Sequence, residues 1–129
     1  MPLLDQSIPV YALMGLDLEI EAGGRAVGRM TVTEQHYSQA ERMHGGLVFV
    51  AFDTVMGGAV RSLIEPGTDI ATIDISMRFI RMVYTGELRV EAEVYHPGRR
   101  VMQVRADAFE HRGKLAATAT GAFVVLGDH

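Results

Sequence analysis

The feature that most constrains the fold is one long apolar segment, residues 46–64, in which Asp53 and Arg61 are the only charged side chains. Its length fits a helix of about five turns. A helix that is apolar on nearly every side is expected to be buried on every side. A membrane span is the obvious alternative, but the uninterrupted apolar runs are much shorter than the roughly 18 residues that a span requires. The segment therefore predicts a buried core helix.

Six runs of alternating apolar and polar residues surround this segment, which is the pattern of strands with one buried face. Two runs precede it and four follow it: residues 16–21 and 25–33, then 72–79, 88–95, 100–110 and 114–126. Short connections that contain glycine link the last four, at residues 84–86, 96–98 and 111–113. Because such connections are hairpin turns, they are expected to pair consecutive strands antiparallel.

These elements predict an α+β fold, in which an antiparallel sheet of five to six strands wraps around a central long helix and supplies the surface that buries it. No repeat or linker-like composition divides the chain, so we expect one domain over residues 1–129. A further short helix is expected at about residues 3–13, where Leu4, Ile8 and Tyr11 share one side and Pro9 limits the helix.

The composition narrows the classes of function. Twelve Lys and Arg against sixteen Asp and Glu give a net charge of −4, and no basic run is longer than Arg99-Arg100. A nucleic-acid binder needs a concentrated positive face. The lack of cysteine excludes disulfides and thiolate metal sites and fits a reducing cytoplasm. The N-terminal sequence MPLLD has no positive region, so no secretory signal is expected. We therefore predict a cytoplasmic protein that binds neither nucleic acid nor membranes.

Asp53 is the most unusual residue of the apolar segment. A carboxylate that is buried halfway along a helix costs several kcal/mol unless it is paired or functional. Arg61 lies roughly 12 Å further along the helix axis and is too far away to be its partner. One interpretation is that Asp53 is a general base. The alternative is that it faces a solvated seam or pairs with a strand arginine, Arg78 or Arg81.

The tripeptide His44-Gly45-Gly46 stands where a polar loop enters the helix. The first amides of a helix lack internal partners and carry partial positive charge. Because glycine allows a ligand to approach the backbone closely, these amides can polarise a carbonyl and stabilise an oxyanion. The alternative is that the two glycines serve only the geometry of the loop.

The spacing of Gly45 and Asp53 predicts a site shared by two chains. The two residues are roughly 12 Å apart along one helix, whereas a reacting carbonyl must lie about 3 Å from both its oxyanion donor and the attacking group. Two antiparallel copies of the helix, related by a two-fold axis, would place Gly45 of one chain opposite Asp53 of the other. The active unit would then be at least a dimer.

His44-Gly45-Gly46, six further residues and Asp53-Thr54 resemble the HGG-x6-D motif of the hotdog-fold acyl-CoA thioesterases, in particular the phenylacetate-degradation (PaaI-like) group. Residues 75–81, ISMRFIR, are similar to the third strand of that group. The order of elements also agrees, so the resemblance covers about residues 15–126. It implies the hotdog fold and hydrolysis of thioesters.

The resemblance implies a role for each residue of the motif. Asp53 would be the general base for water, or the nucleophile. Gly45, next to Gly46 in the motif, would polarise the thioester carbonyl across a dimer interface through its amide. His44 would help to shape the site or would only anchor the loop. At the position of Ser38 many members carry an asparagine. Ser38 would position water less well than that asparagine does.

Other residues are candidates for substrate binding. Thr54 follows the catalytic aspartate in the motif. Some relatives have a catalytic hydroxyl on the third strand, where this chain is expected to have Arg81 instead. Arg81 would meet a phosphate of coenzyme A or would be a solvated charge at a strand end. Arg99 and Arg100 would hold the nucleotide phosphates, or would form a solvated hairpin tip.

No metal or redox cofactor is expected beyond the coenzyme A of the substrate. The histidines lack the spacing of an HExxH-type pair. The motifs of serine hydrolases, dinucleotide sites and phosphate loops are missing. Glu34, His36, Glu41 and His44 are close enough in sequence for a loop metal site, which is the weaker interpretation.

The leading hypothesis is a hydrolase that cleaves acyl- or aryl-acyl-CoA thioesters to free acid and coenzyme A, as a homodimer or homotetramer. A non-catalytic acyl-CoA-binding module is the second hypothesis, which the missing asparagine favours and Asp53 disfavours. An enoyl-CoA hydratase ranks last. That reaction generally needs a histidine a few residues beyond the aspartate, and the next histidine in this chain is His96.

Overall fold

The computed structural model describes residues 3–128, so Met1, Pro2 and His129 lie outside the described residues. Met1 and Pro2 are the first two residues of the N-terminal sequence considered above. The elements in chain order are α1 (Pro9–Met14), β1 (Asp17–Glu21), β2 (Arg25–Val32), a 3-10 turn (Glu34–His36), α2 (Gly45–Arg61), β3 (Thr68–Phe79), β4 (Gly86–Pro97), β5 (Val101–Phe109) and β6 (Leu115–Asp128). The predicted long helix and six strands are confirmed.

The six strands form one antiparallel sheet in the order β1-β2-β4-β5-β6-β3. The hairpins β4–β5 and β5–β6 are as predicted. The prediction of a hairpin between β3 and β4 is wrong, because β3 pairs with β6 and β4 pairs with β2. Residues 80–85 instead run along the end of the sheet, where the N–H groups of Ile80 and Arg81 both donate to the carbonyl of Ala116. β3 is therefore an edge strand. Pairing of strands that are consecutive in the sequence does not predict this sheet order.

The helix α2 packs on one face of this sheet. Its sheet-facing side chains are fully buried: Val48, Phe52, Val55, Met56, Ala59 and Val60. The expectation that the helix is buried on every side is wrong. Gly46 is exposed, Phe49 remains 36% exposed, and Asp53 and Gly57 are half-buried. A single sheet covers only one side of a helix, so these residues form an open stripe along the opposite side.

The helix α1 is shorter than predicted. Pro9 occupies its first turn, where the missing proline N–H costs no hydrogen bond, so the proline starts the helix instead of interrupting it. Gly15 ends the helix in a left-handed conformation with φ of 59°. The buried His36 then ties α1 to the loop before α2, since its Nε2 lies 2.7 Å from the Leu13 carbonyl and its own carbonyl accepts from His44 N.

The edge strand β3 is less buried than its alternating pattern predicts. Its register with β6 shifts between Thr72 and Asp74, which leaves Ile73 as an extra residue that is 53% exposed. Phe79 at the end of the strand is 55% exposed. A long edge strand that carries exposed apolar side chains is a surface on which another chain can add.

Within residues 3–128, no helix has the length and hydropathy needed to cross a membrane.

Candidate active site

His44 occupies most of the free amides at the start of α2. Its Nδ1 accepts a hydrogen bond from Gly46 N at 2.9 Å. Its carbonyl accepts from Leu47 N at 2.9 Å and from Val48 N at 3.3 Å. The N–H of Gly45 is left without an acceptor in the part of the chain that the structure describes. An unpaired amide at a helix N-terminus carries partial positive charge, so Gly45 N–H can donate to a substrate oxygen.

Gly45 opens onto a groove of about 450 Å³, here called the Gly45 groove, whose lining includes Ser38, Arg42, Gly45, Phe79 and Arg81. The Phe79 ring packs against Gly45 so closely that a Cβ at this position would lie 3.0 Å from Phe79 Cζ. A larger residue at this position would require the exposed Phe79 ring to move, whereas the backbone angle of Gly45 is not an unusual one. The groove combines apolar walls with two guanidinium groups beside the free amide.

Asp53 lies in a different cavity, of about 330 Å³, here called the Asp53 cavity, whose lining includes Tyr11, Asp53, Thr54, Gly57 and Thr72. The carboxylate is half-buried and accepts a hydrogen bond from Thr72 Oγ1 to Oδ1 at 2.7 Å. Within residues 3–128 Asp53 forms no ion pair with Arg78 or Arg81, so the arginine half of the alternative interpretation is wrong, whereas the open position of the carboxylate agrees with the solvated-seam half. The carboxylate faces an open cavity instead of a dry core.

Thr72 is the residue of this site that the sequence does not reveal. The resemblance places Arg81 where some relatives carry a hydroxyl on the third strand. The structure corrects this, because Thr72 on β3 presents a hydroxyl to Asp53, whereas Arg81 lies beyond the end of β3 and donates from Nη1 to the Leu115 carbonyl at 2.7 Å. In the sequence, Thr72 is one of several polar residues that alternate with the apolar residues of β3. Only the packing of β3 beside α2 shows that its hydroxyl contacts Asp53.

The described chain does not bring Gly45 and Asp53 together. They lie in separate cavities and are separated by eight residues of one helix, roughly 12 Å along its axis. Thr54 lines the Asp53 cavity, but its hydroxyl donates to the Val50 carbonyl at 2.8 Å within the helix. Ser38 lines the Gly45 groove, and its Oγ accepts from Ala40 N at 3.2 Å.

The candidate phosphate-binding arginines are also divided between two ends of the sheet. Arg81 contacts the start of β6 at Leu115, and the carbonyl of Arg100 contacts Val125 N ten residues further along that strand. At about 3.3 Å per residue this separation is roughly 30 Å. Arg99 and Arg100 therefore cannot share one phosphate group with Arg81 of the same chain.

The histidines of the preceding loop serve the structure. Thr33 N donates to His36 Nδ1 at 3.0 Å, and His36 Nε2 lies 2.7 Å from the Leu13 carbonyl, so both ring nitrogens are occupied. His44 uses its Nδ1 on the helix amide of Gly46. His44 therefore caps the helix and, among the described residues, leaves the Gly45 amide without an acceptor, while its role in shaping the site or anchoring the loop stays a prediction.

A long helix packed on a six-stranded antiparallel sheet defines the hotdog fold, and the class of enzyme, a thioester hydrolase, follows from the family that the chain matches. The chain belongs to the thioesterase superfamily, whose family model matches residues 41–117 and so includes both Gly45 and Asp53.

Solved structures agree with this family. A conserved protein from Pseudomonas aeruginosa is 32% identical, with a TM-score of 0.87 over 97% of this chain and 100% of its own. The PaaI protein from the phenylacetic acid degradation operon of E. coli is 26% identical, with a TM-score of 0.83 over 92% and 84%. A phenylacetic acid degradation-related protein from Ralstonia eutropha JMP134 is 26% identical, with a TM-score of 0.83 over 92% and 91%. The resemblance to the PaaI-like group is confirmed.

Proposed function

We propose that this thioester hydrolase acts on acyl- or aryl-acyl-CoA and releases the free acid and coenzyme A. The observation that supports the proposal best is the division of the helix α2 into an electrophile-activating end and a base-bearing middle. The free Gly45 amide fits a thioester carbonyl oxygen, and among the described residues Thr72 alone donates to the Asp53 carboxylate in its open cavity. The similarity to two phenylacetic acid degradation proteins favours an aryl-acyl group among the substrates.

In the proposed reaction Asp53 removes a proton from water while the water oxygen bonds to the thioester carbon. The carbonyl π electrons move onto oxygen, and the resulting oxyanion accepts a hydrogen bond from the Gly45 N–H. When the tetrahedral intermediate collapses, the carbon–sulfur bond breaks and the sulfur leaves as the thiolate of coenzyme A. The proton on Asp53 returns to the thiolate or to solvent, so the carboxylate is regenerated.

A direct nucleophilic attack by Asp53 would use the same residues but form an acyl–aspartyl anhydride. A single turnover in water labelled with oxygen-18 detects the nucleophilic route when the anhydride is hydrolysed at its aspartyl carbon. In the general-base route the label enters only the acid product. In the nucleophilic route, attack of water on the aspartyl carbon would place the label in Asp53, which peptide mass spectrometry detects.

The proposed active unit is a homodimer, alone or paired into a homotetramer. Two antiparallel copies of α2 related by a two-fold axis would bring Gly45 of one chain to Asp53 of the other. Two features support this arrangement. The stripe of Gly46, Phe49 and Asp53 on α2 is not covered by the chain's own sheet, and the edge strand β3 carries exposed apolar side chains.

Coenzyme A would enter along the Gly45 groove. Arg42 and Arg81 line that groove and form no ion pair with a described carboxylate, so both are available to a phosphate group. Arg99 and Arg100 would reach the same nucleotide only from a second chain. Neither a metal nor a redox cofactor has a step in this proposal, and we propose a cytoplasmic location for the enzyme.

The test is hydrolysis of a panel of acyl-CoA esters by the wild type and by Asp53→Asn. We expect Asp53→Asn to lower kcat/KM by about 10²–10⁴, the usual contribution of general acid–base catalysis. Asp107→Asn, which removes an exposed carboxylate from β5, is the matched control and should keep the wild-type rate.

Three outcomes would contradict the proposal. Equal rates for Asp53→Asn and the wild type would remove Asp53 from the reaction. Tight binding of the whole panel without turnover would indicate an acyl-CoA-binding module. Loss of the enoyl thioester absorbance with the thioester intact would indicate a hydratase.

A further inference from the structure

We infer that Gly57 determines how large an acyl group the enzyme accepts, because its missing side chain leaves room in the acyl-binding part of the Asp53 cavity. This inference rests on the proposed function and names the class of substrate for the same site: an acyl-CoA whose acyl group is apolar and wider than acetyl, aryl-acyl groups included.

The Asp53 cavity has apolar walls that would suit an acyl group, beside polar groups that contribute a similar share of its surface. Apart from its polar groups at Asp53, Thr54, Thr72 and Arg61, its lining is apolar and partly aromatic. The apolar walls come from the N-terminal segment, β1, β3 and β6: Leu3, Leu4, Tyr11, Ile20, Ile70 and Phe123. The nucleotide of coenzyme A carries phosphates and must stay in contact with water, so the apolar walls beside the base suit the acyl group.

Gly57 lies one helical turn after Asp53 and lines the same cavity. A Cβ at Gly57 would lie 3.7 Å from Phe123 Cε2 and 3.9 Å from Ile70 Cδ1. These are ordinary van der Waals distances, so an alanine fits there without moving its neighbours. Its methyl group would nevertheless occupy space between the helix and the aromatic wall of the cavity.

The next residue, Gly58, is also glycine but for a different reason. A Cβ at Gly58 would lie 3.2 Å from both δ-carbons of Leu18 and 3.4 Å from Ala26 Cβ. Gly58 therefore allows the helix to approach β1 and β2 closely. The glycine at position 58 allows close packing, whereas the glycine at position 57 leaves open space. Alanine substitutions at these two adjacent positions can therefore be compared.

Gly57→Ala is a conservative probe of this open space. Alanine is more favourable than glycine inside a helix, so the substitution should not lower the stability of α2. In a hydrophobic pocket one additional methyl group changes selectivity by roughly 10–200-fold. We expect the loss to grow with the width of the acyl group, because a wider group reaches the space that the methyl takes.

The experiment compares kcat/KM for phenylacetyl-CoA and acetyl-CoA in the wild type, Gly57→Ala and Gly58→Ala, with Tm as the measure of folding. Gly57→Ala should lower the ratio of phenylacetyl-CoA to acetyl-CoA at least about tenfold without a fall in Tm. Gly58→Ala should change the ratio less than Gly57→Ala does, because its methyl group would meet Leu18 and Ala26 on the sheet, although Gly58 also borders the cavity.

An unchanged ratio in a folded Gly57→Ala enzyme, or an equal loss with both substrates, would overturn the inference and leave the proposed function standing. Asp53→Asn is assayed in parallel with both substrates. A wild type that hydrolyses neither ester, or an Asp53→Asn variant as fast as the wild type, would overturn the proposed function and, with it, the inference.

Discussion

The chain holds two carboxylates in opposite ways. Glu110, in the β5–β6 turn, is only 4% exposed and accepts hydrogen bonds from Arg112 Nε and Arg112 N, both at 2.8 Å, and from Lys114 N at 3.2 Å. Asp53, on α2, is half-buried beside an open cavity and, within the described residues, accepts a single hydrogen bond, from Thr72.

The difference separates a structural acid from a candidate catalytic acid. Burial alone would raise the pKa of Glu110, but the hydrogen bonds from Arg112 and from the Lys114 and Arg112 amides outweigh it and lower the pKa from 4.5 to about 2. With its lone pairs occupied, Glu110 has little capacity to accept a proton from a substrate. Within residues 3–128 Asp53 Oδ2 has no hydrogen-bond donor and Oδ1 accepts from Thr72, an arrangement that suits the proposed general base.

The largest expected effect is the recovery of activity when two inactive variants share one dimer. Asp53→Asn lacks the base, and Gly45→Ala adds a methyl group beside the proposed oxyanion amide, where its Cβ would lie 3.0 Å from Phe79 Cζ. If each site takes Gly45 from one chain and Asp53 from the other, a mixed dimer has one intact site and one doubly altered site. Random subunit exchange should then restore about a quarter of the wild-type rate.

The measurement is the hydrolysis rate of each variant alone and after mixing, denaturation and joint refolding. The wild type taken through the same cycle corrects for incomplete refolding. A mixture that stays as inactive as its components would show that the two groups do not act across a shared interface. The result does not depend on whether Gly45→Ala acts through its bulk or through the loss of the hydrogen bond.

Next in size is the loss of the hydroxyl that orients Asp53. Thr72→Val keeps the shape of the side chain but removes the donor to Asp53 Oδ1. Because hydrogen bonds to charged groups contribute about 1.5–3 kcal/mol, we expect kcat to fall roughly ten- to a hundredfold. Thr72→Ser restores the donor and should restore most of the rate. Thr31→Val, at an exposed position on β2, is the control, and equal kcat for Thr72→Val and the wild type would exclude a role for this bond.

The sequence predicts the elements of the fold better than their neighbours in the sheet. Alternation places all six strands, because each strand has one face on the core. It does not show that β3 lies beside β6, since the connection through residues 80–85 has the residues of a turn but runs along the end of the sheet. It also does not show the extra residue Ile73, because a register shift is set by the partner strand.

The residues of the candidate site also differ in how well the sequence predicts them. His44, Gly45 and Asp53 are recognisable because they belong to one continuous segment whose spacing carries the information. Thr72 and the apolar wall at Tyr11 lie in other segments and reach Asp53 only through the sheet order and the packing of α1. Local patterns record the residues of a helix, whereas the contacts between distant segments depend on the complete packing.

The smallest expected effect concerns Glu110 and appears as a pH dependence of stability, not of activity. Because the folded-state pKa is about 2 and the ordinary value is 4.5, the folded protein keeps this carboxylate ionised where the unfolded chain takes up a proton. The stabilisation is present in full above pH 4.5 and is lost as the pH falls toward 2. Glu110→Gln should therefore have a lower Tm than the wild type at neutral pH, and the difference should shrink through this range.

Glu87→Gln, at an exposed position on β4, is the control for the removal of one negative charge. Specific activity at neutral pH should stay at the wild-type level in Glu110→Gln, because the buried hairpin carboxylate contacts neither the Gly45 groove nor the Asp53 cavity in the described chain. A constant difference in Tm from pH 7 to 2 would show that Glu110 contributes through packing alone. A loss of activity without a loss of stability in Glu110→Gln would contradict the distinction between Glu110 as a structural carboxylate and Asp53 as the candidate catalytic one.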